Sequence, residues 1–238
     1  MKFNFKGKNV LITGASSGIG MSIANEFYKL GANVIGTSTT QKIKKVRYEI
    51  FKVNFFKKEE SSNFLKYIEE KKIDILVNNA GINIISHIEQ LNIKNFKDVL
   101  YINLEIPAQI SSVVSKNMIK NKYGKIINIS SIFGSVSRTM RSSYSSSKFG
   151  IKGLTKATAL DLASKNIYVN SISPGFIDTK LTRKVLKKSG ILKITKDIPL
   201  LRMGKPKEIA YLALYLASDY NTYITGQDFL IDGGFTSK

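Results

Sequence analysis

The sequence predicts an α/β fold: a doubly wound domain whose parallel sheet lies between two layers of helices. Three observations predict it. Short apolar runs alternate with longer segments of helical period, a glycine-rich turn (Gly14 to Gly20) follows the first apolar run, and no linker, repeat or low-complexity stretch divides the 238 residues. Alternating strand and helix signals mean a parallel sheet whose crossovers cover both faces. A chain of this length commonly folds as one α/β unit, so residues 1–238 are expected to form a single domain.

Asn9–Thr13 opens the sheet as a short apolar run, and Ile19–Leu30 follows with helical spacing. Asn33–Thr37 and Glu49–Val53 read as the next strands, Ser61–Lys71 as a helix and Ile75–Asn78 as a strand. Phe96–Lys120 is one long helical region, and Lys125–Ser130 is a strand. Tyr144–Leu162 reads as a helix, Ile167–Ile172 as a strand, Lys207–Ala217 as a helix and Phe229–Ile231 as the last strand. A helix buries a stripe of period 3.6, whereas a strand covered on both faces reads as a short continuous apolar run.

Composition excludes several function classes. No run of 18 apolar residues is present to span a membrane. Met1 to Lys8 lacks the apolar core of a signal peptide, so the protein is expected in the cytoplasm. Without cysteine there is neither a disulfide nor thiolate chemistry. The single histidine, His87, does not make a metal site alone, and no metal is expected. The net charge is +20, yet only five of the 37 basic residues are Arg, and Lys is scattered along the chain. A nucleic-acid reader clusters its basic residues and uses more Arg, so no nucleic-acid partner is expected. A basic surface favours acidic partners by steering.

The first strand–helix turn, Thr13-Gly14-Ala15-Ser16-Ser17-Gly18-Ile19-Gly20, leaves helix N-terminal amides free. Those amides and the helix dipole suit a pyrophosphate. After the second strand, Gly36-Thr37-Ser38-Thr39-Thr40 holds no carboxylate for a ribose 2′-hydroxyl, and Lys42, Lys44 and Lys45 follow. That tilts the coenzyme to NADP(H), with NAD(H) the alternative. Asn78-Asn79-Ala80-Gly81 follows the fourth strand at the sheet edge where ligands bind.

Tyr144 and Lys148 stand four apart at the start of a helix, thirteen residues and more beyond Ser131, and so share a face. A phenol holds its proton to a pH near 10. An ammonium about 4 Å away, at an effective dielectric near 20, favours the phenolate by roughly 4 kcal/mol. The pair is therefore expected to bring Tyr144 toward neutrality, where a general acid or base works best.

Taken in order and spacing, the glycine turn, Asn78-Asn79-Ala80-Gly81, Asn103, Ser131, Tyr144-x-x-x-Lys148, Asn170-x-Ile172-x-Pro174-Gly175 and Asp232-Gly233-Gly234 resemble the short-chain dehydrogenase/reductase family essentially end to end. The resemblance implies a Rossmann-like sheet of seven parallel strands, a nicotinamide cofactor, and a homotetramer or homodimer. It implies that Tyr144 gives a proton to the nascent alkoxide, that Ser131 holds the substrate carbonyl, that Lys148 lowers the Tyr pKa and meets the nicotinamide ribose, and that Asn103 steadies a water chain. Cofactor contacts are implied at Gly14, Ser16, Ser17, Gly18, Ile19, Gly20, Thr37, Ser38, Asn54, Phe55, Asn79, Ala80, Gly81, Pro174, Gly175, Ile177 and Thr179, besides Tyr144 and Lys148. The Lys-rich segment at about 180–199 corresponds to the family's substrate lid, which closes over substrate.

Within the family the similarity is greatest to 3-oxoacyl-acyl-carrier-protein reductases, which implies an NADPH-dependent reduction of a 3-oxoacyl thioester. Such enzymes dock an acidic carrier protein beside the active-site mouth, and the matching basic positions are Lys122 and Lys165. Two departures stand out. Arg138 and Arg141 occupy the loop before Tyr144, where small and amide side chains are usual, and they suit an anionic small substrate, so the alternative is a dehydrogenase acting on a small sugar, a polyol or an anionic hydroxy or keto substrate. The segment Gln41–Tyr48 is short and is expected to hold only a stunted helix.

Overall fold

The computed structural model describes residues 2–40 and 46–237, so most of the segment expected to hold a stunted helix, with Lys42, Lys44 and Lys45, lies outside the described residues. Seven parallel strands form one sheet in the order β3-β2-β1-β4-β5-β6-β7. They are β1 (Asn9–Ile12), β2 (Asn33–Ser38), β3 (Glu49–Lys52), β4 (Ile75–Asn78), β5 (Gly124–Ile129), β6 (Ile167–Pro174) and β7 (Asp228–Ile231). The helices are α1 (Gly18–Lys29), α2 (Lys58–Glu69), α3 (Ile93–Leu100), α4 (Ile106–Asn121), α5 (Ser142–Ala163), α6 (Lys180–Asp197) and α7 (Pro206–Ala217).

Alternation along the strands sends side chains to two cores. Val10 and Ile12 join Ile23 and Phe27 of α1 and Ile209 and Leu214 of α7 on one face. Leu11 joins Phe64 of α2, Ile110 and Val114 of α4, and Ile126 and Val169 on the other. Register is fixed on both sides of β1, with Leu11 opposite Ile35 and Leu76. All residues of β4 and β5 are buried, as central parallel strands require. Strand order reverses between β1 and β4, which opens a crevice at their carboxyl ends.

One expectation is corrected. The long helical region is split: a π-turn over Tyr101–Glu105 separates α3 from α4. Pro107, in the first turn of α4, has no N–H for the Asn103 carbonyl and its ring crowds that carbonyl, so a regular ladder cannot run through. Such turns recur at functional sites, and this one holds Asn103. The segment expected to serve as a lid is helical, with Thr179 capping α6 by accepting the Thr182 amide (3.1 Å) and a break at Lys187 (φ 52°, ψ 178°). Among the described residues, no helix is long and apolar enough to cross a membrane.

Candidate active site

The glycine turn is built for close approach. Gly14 and Gly18 take left-handed φ of 67° and 55°, and a Cβ on Gly20 would collide with the Gly14 carbonyl and the Asn79 amide. Asn79 donates to the Thr13 carbonyl (2.9 Å) and the Gly14 carbonyl (3.2 Å), while the Thr13 hydroxyl accepts from the Asn79 and Ala80 amides (2.9 Å each). The β1 and β4 loops are thereby one unit. Ser17 is the N-cap of α1 but makes no side-chain cap, which leaves the first-turn amides for an anion. A dinucleotide fits this cradle. The Thr37 hydroxyl is spent on the turn, accepting the Gly14 amide (3.1 Å), and the Ser38 hydroxyl accepts the Thr40 amide (3.1 Å).

Beyond the cradle, the residues expected to do chemistry converge. Ser131 ends the β5 turn as a cap accepting the Phe133 amide (3.2 Å), and its hydroxyl faces the Tyr144 phenol. Lys148 Nζ lies 5.6 Å from the Tyr144 ring centroid and donates to the Ile129 carbonyl (2.8 Å). Asn103 accepts the Ile82 amide (2.8 Å) and donates to the Ile82 carbonyl (2.9 Å) and to Ser147 Oγ (3.0 Å). Both its amide protons are used, so its side chain fixes the loop after Gly81. A Cβ on Gly81 would sit 3.2 Å from Asn103 Oδ1 and 3.9 Å from Lys148 Nζ, so the glycine lets the loop lie against both.

The electrostatics depart from the simple Tyr–Lys picture. Burial raises the Tyr144 pKa, opposed by the Ser131 hydroxyl and by the Arg141 charge. Burial also pulls Lys148 down to about 8. The expectation that Lys148 brings the phenol to neutrality is corrected: its ammonium is turned to a carbonyl, and desolvation outweighs attraction.

Other expected contacts are placed differently from their side chains' promise. Phe55 is buried against Phe64 (centroids 5.6 Å apart), so its ring is core and is not available to stack on adenine. Asn54 caps its own turn, accepting the Phe56 amide (3.1 Å) and donating its amide to Glu60 (2.8 Å). Ile177 points into the core beside Gly204. Pro174 ends β6, and the Gly175 amide is held by the Ile231 carbonyl (3.0 Å), where a Cβ would meet Asp232. Thr179 closes on the cradle, its Cγ2 3.5 Å from where a Cβ of Gly18 would be. Ser16 belongs to the glycine turn and Ile19 to the first turn of α1.

Lys122 and Lys165 are exposed and near each other, since Asn166 donates to the Lys122 carbonyl (2.9 Å). They precede β5 and β6, whereas Ser131 follows β5. The expectation that they flank the mouth is corrected: within one chain a strand's length, roughly 20 Å, separates them from it. Sequence reasoning also missed Ser147, fully buried beneath Asn103, and gave Thr13 no role. A serine among serines carries no signal of its own.

Residues 14–236 match the family model described as enoyl-(acyl carrier protein) reductase. The chain is 38% identical over 238 residues to the 3-oxoacyl-[acyl-carrier-protein] reductase FabG of Rickettsia typhi, covering 97% of this chain and 98% of that one. It is 35% identical to the protein of that name from Thermotoga maritima, covering 96% and 98%. Among solved structures, the Thermoplasma acidophilum aldohexose dehydrogenase is similar, with TM-score 0.93, 32% identity and coverage of 100% and 97%. So is a candidate NAD(P)-dependent gluconate 5-dehydrogenase from Beutenbergia cavernae carrying NADP at low occupancy, with TM-score 0.94, 28% identity and coverage of 99% of each chain.

Proposed function

The chain belongs to the short-chain dehydrogenase/reductase family, and we propose from that premise that it reduces a 3-oxoacyl thioester on an acyl carrier protein to the 3-hydroxyacyl form, using NADPH. The observation that carries the substrate is the run of relatives bearing that activity in their names, 35–40% identical over nearly the whole chain. The lid agrees with an acyl substrate. Leu181, Val185 and Leu192 of α6, with Leu200 and Leu201 beyond it, are exposed apolar residues that a sugar would not require.

Bound NADPH supplies the hydride to C3. Tyr144 gives its proton to the C3 oxygen, and the Ser131 hydroxyl donates to the same oxygen and keeps it in place. Lys148 would hold the nicotinamide ribose. Asn103 holds the Gly81–Ile82 loop that backs this group. NADPH is preferred because no carboxylate at the end of β2 repels a 2′-phosphate.

The enzyme works as a homo-oligomer, a tetramer, in the cytoplasm. Leu160 and Phe149 on α5 and Leu230 on β7 are 82%, 50% and 46% exposed, which is costly for faces left in water. Oligomerisation also gives Lys122 and Lys165 a use, since a carrier docked on one subunit then reaches the mouth of another. Steady-state NADPH oxidation with an acetoacetyl thioester, set against NADH and a panel of aldoses and hydroxy acids, tests the reading. Faster turnover of an aldose or hydroxy acid, or a preference for NADH, overturns it.

A further inference from the structure

Of the arginines near the site, Arg138 is exposed to solvent, and one other stands without a carboxylate among the described residues. Arg183 and Arg202 each close on an acid, Asp178 and Glu208. Arg141 instead carries its guanidinium over the Phe133 ring, 5.7 Å from the centroid, and its Nη1 is buried with no hydrogen-bond partner among the described residues. A buried, unpaired charged donor is expensive, and native structures rarely keep one without use.

The loop is shaped to hold it there. Met140, just before it, takes a left-handed φ of 65°, a conformation that costs a non-glycine residue about 1 kcal/mol or more. Arg141 precedes the first residue of α5, and three residues on Tyr144, in the first turn of that helix, packs edge-on against the same Phe133 ring, with centroids 6.3 Å apart and planes at 78°. The groups facing Tyr144 are Ser131 from the β5 turn, Lys148 over the ring and Arg141, and no carboxylate is among those acting on it.

We propose that Arg141 is a positioning residue for proton transfer: its otherwise unpartnered guanidinium stabilises the negative charge that develops on the Tyr144 oxygen. The inference rests on Tyr144 being the acid/base and is independent of the substrate. It gives Arg141 a share of the charge stabilisation that the family resemblance implies for Lys148, whose ammonium is bonded to the Ile129 carbonyl in this structure. The coupling is reciprocal, since burial holds the Arg141 pKa down and the Tyr144 charge draws it up.

The sign of the test follows. Removing the cation favours the neutral phenol, so the Tyr144 titration moves to higher pH. Alcohol oxidation needs the phenolate, and its acid limb should move up in Arg141→Gln. kcat/KM on that limb should fall roughly tenfold while the alkaline plateau is kept. Ketone reduction needs the phenol, and its alkaline limb should move up as well. Arg141→Lys should restore much of both shifts. A second readout needs no turnover: NMR titration of Cζ-labelled tyrosine in the nucleotide-free protein, with the Tyr144 signal assigned by its loss in Tyr144→Phe. A uniform loss at every pH, or an unmoved Tyr144 titration in Arg141→Gln beside an inactive Tyr144→Phe, overturns the inference alone. Turnover surviving in Tyr144→Phe overturns the acid/base assignment and the inference together.

Discussion

Two buried lysines sit at opposite ends of β5, and by local chemistry they are nearly the same residue. Lys125 is 4% exposed and Lys148 is 5% exposed. Each donates to a main-chain carbonyl, Lys125 to Asn221 (2.6 Å) and Lys148 to Ile129 (2.8 Å). Each faces a tyrosine ring, Tyr168 at 3.7 Å and Tyr144 at 5.6 Å, and burial lowers each to about 8. The difference is the end of the strand. Lys125 starts β5, at the closed edge among Lys8, Tyr123 and Asp219. Lys148 meets the carboxyl end, where Gly81, Asn103 and Ser131 leave a crevice. A perturbed titration marks burial; the place in the sheet decides whether burial serves a reaction.

The strongest way to break that comparison is to remove each lysine in turn. Lys148→Met is expected to cost turnover about a thousandfold, with a stability effect limited to about 1–3 kcal/mol for the Ile129 carbonyl it leaves unpaired. Lys125→Met should keep kcat/KM within about twofold, its effect confined to stability and limited to about 1–3 kcal/mol for the carbonyl it leaves unpaired. Tyr144→Phe should lose turnover by a similar thousandfold or more while retaining nucleotide binding in direct titration. Equal loss of turnover from Lys125→Met would dissolve the distinction between the two ends.

Glycines sharpen the same contrast. A Cβ at Gly20, in the cradle, meets main chain at Gly14, which has no room to yield, so Gly20→Ala should cost about 1–3 kcal/mol and weaken nucleotide binding. A Cβ at Gly124, at the amino end of β5, lies nearest the Met118 thioether at 2.5 Å, and thioethers repack easily. Gly124→Ala should therefore cost less, about 1 kcal/mol, with nucleotide affinity unchanged. Thermal melts with and without NADPH separate the two.

How much of this was legible in the chain depended on range. The strands around Val10, Leu76 and Ile126 were readable because a doubly covered strand is apolar over its whole length. Pro107 signals the π-turn, but the helical period on both sides masks a one-residue slip. The order of Ser131, Tyr144 and Lys148 was readable as spacing. Their electrostatics were not, because desolvation of a phenol depends on Phe133 and on a loop that no i, i+4 rule contains. Phe55 and Ile177 were named from their loops alone, and which way a ring or branched chain turns is settled by the core. The ends of the sheet misled most directly. Lys122 and Lys165 precede their strands, and a parallel strand sends what precedes it away from the site.

The smallest expected effect tests the lysine pair through the folding equilibrium. Both lysines are held at about 8 in the folded protein against an ordinary 10.5 when unfolded. Between those values the unfolded chain binds more protons, so stability rises with pH across the window, and below pH 8 the contribution is flat at its lowest. Tyr48 and Tyr67 act the other way, because burial holds both up at about 12 and the unfolded chain sheds phenolic protons first above pH 10. Thermal stability should therefore climb from pH 8 toward pH 10 and then fall. Lys125→Met and Lys148→Met should each remove part of the climb, on the order of 1–3 kcal/mol. If the two substitutions flatten it equally while only Lys148→Met stops turnover, the two ends of β5 share a physical burden and differ in use. A climb left intact in both variants would mean that neither ammonium is desolvated as the structure places it.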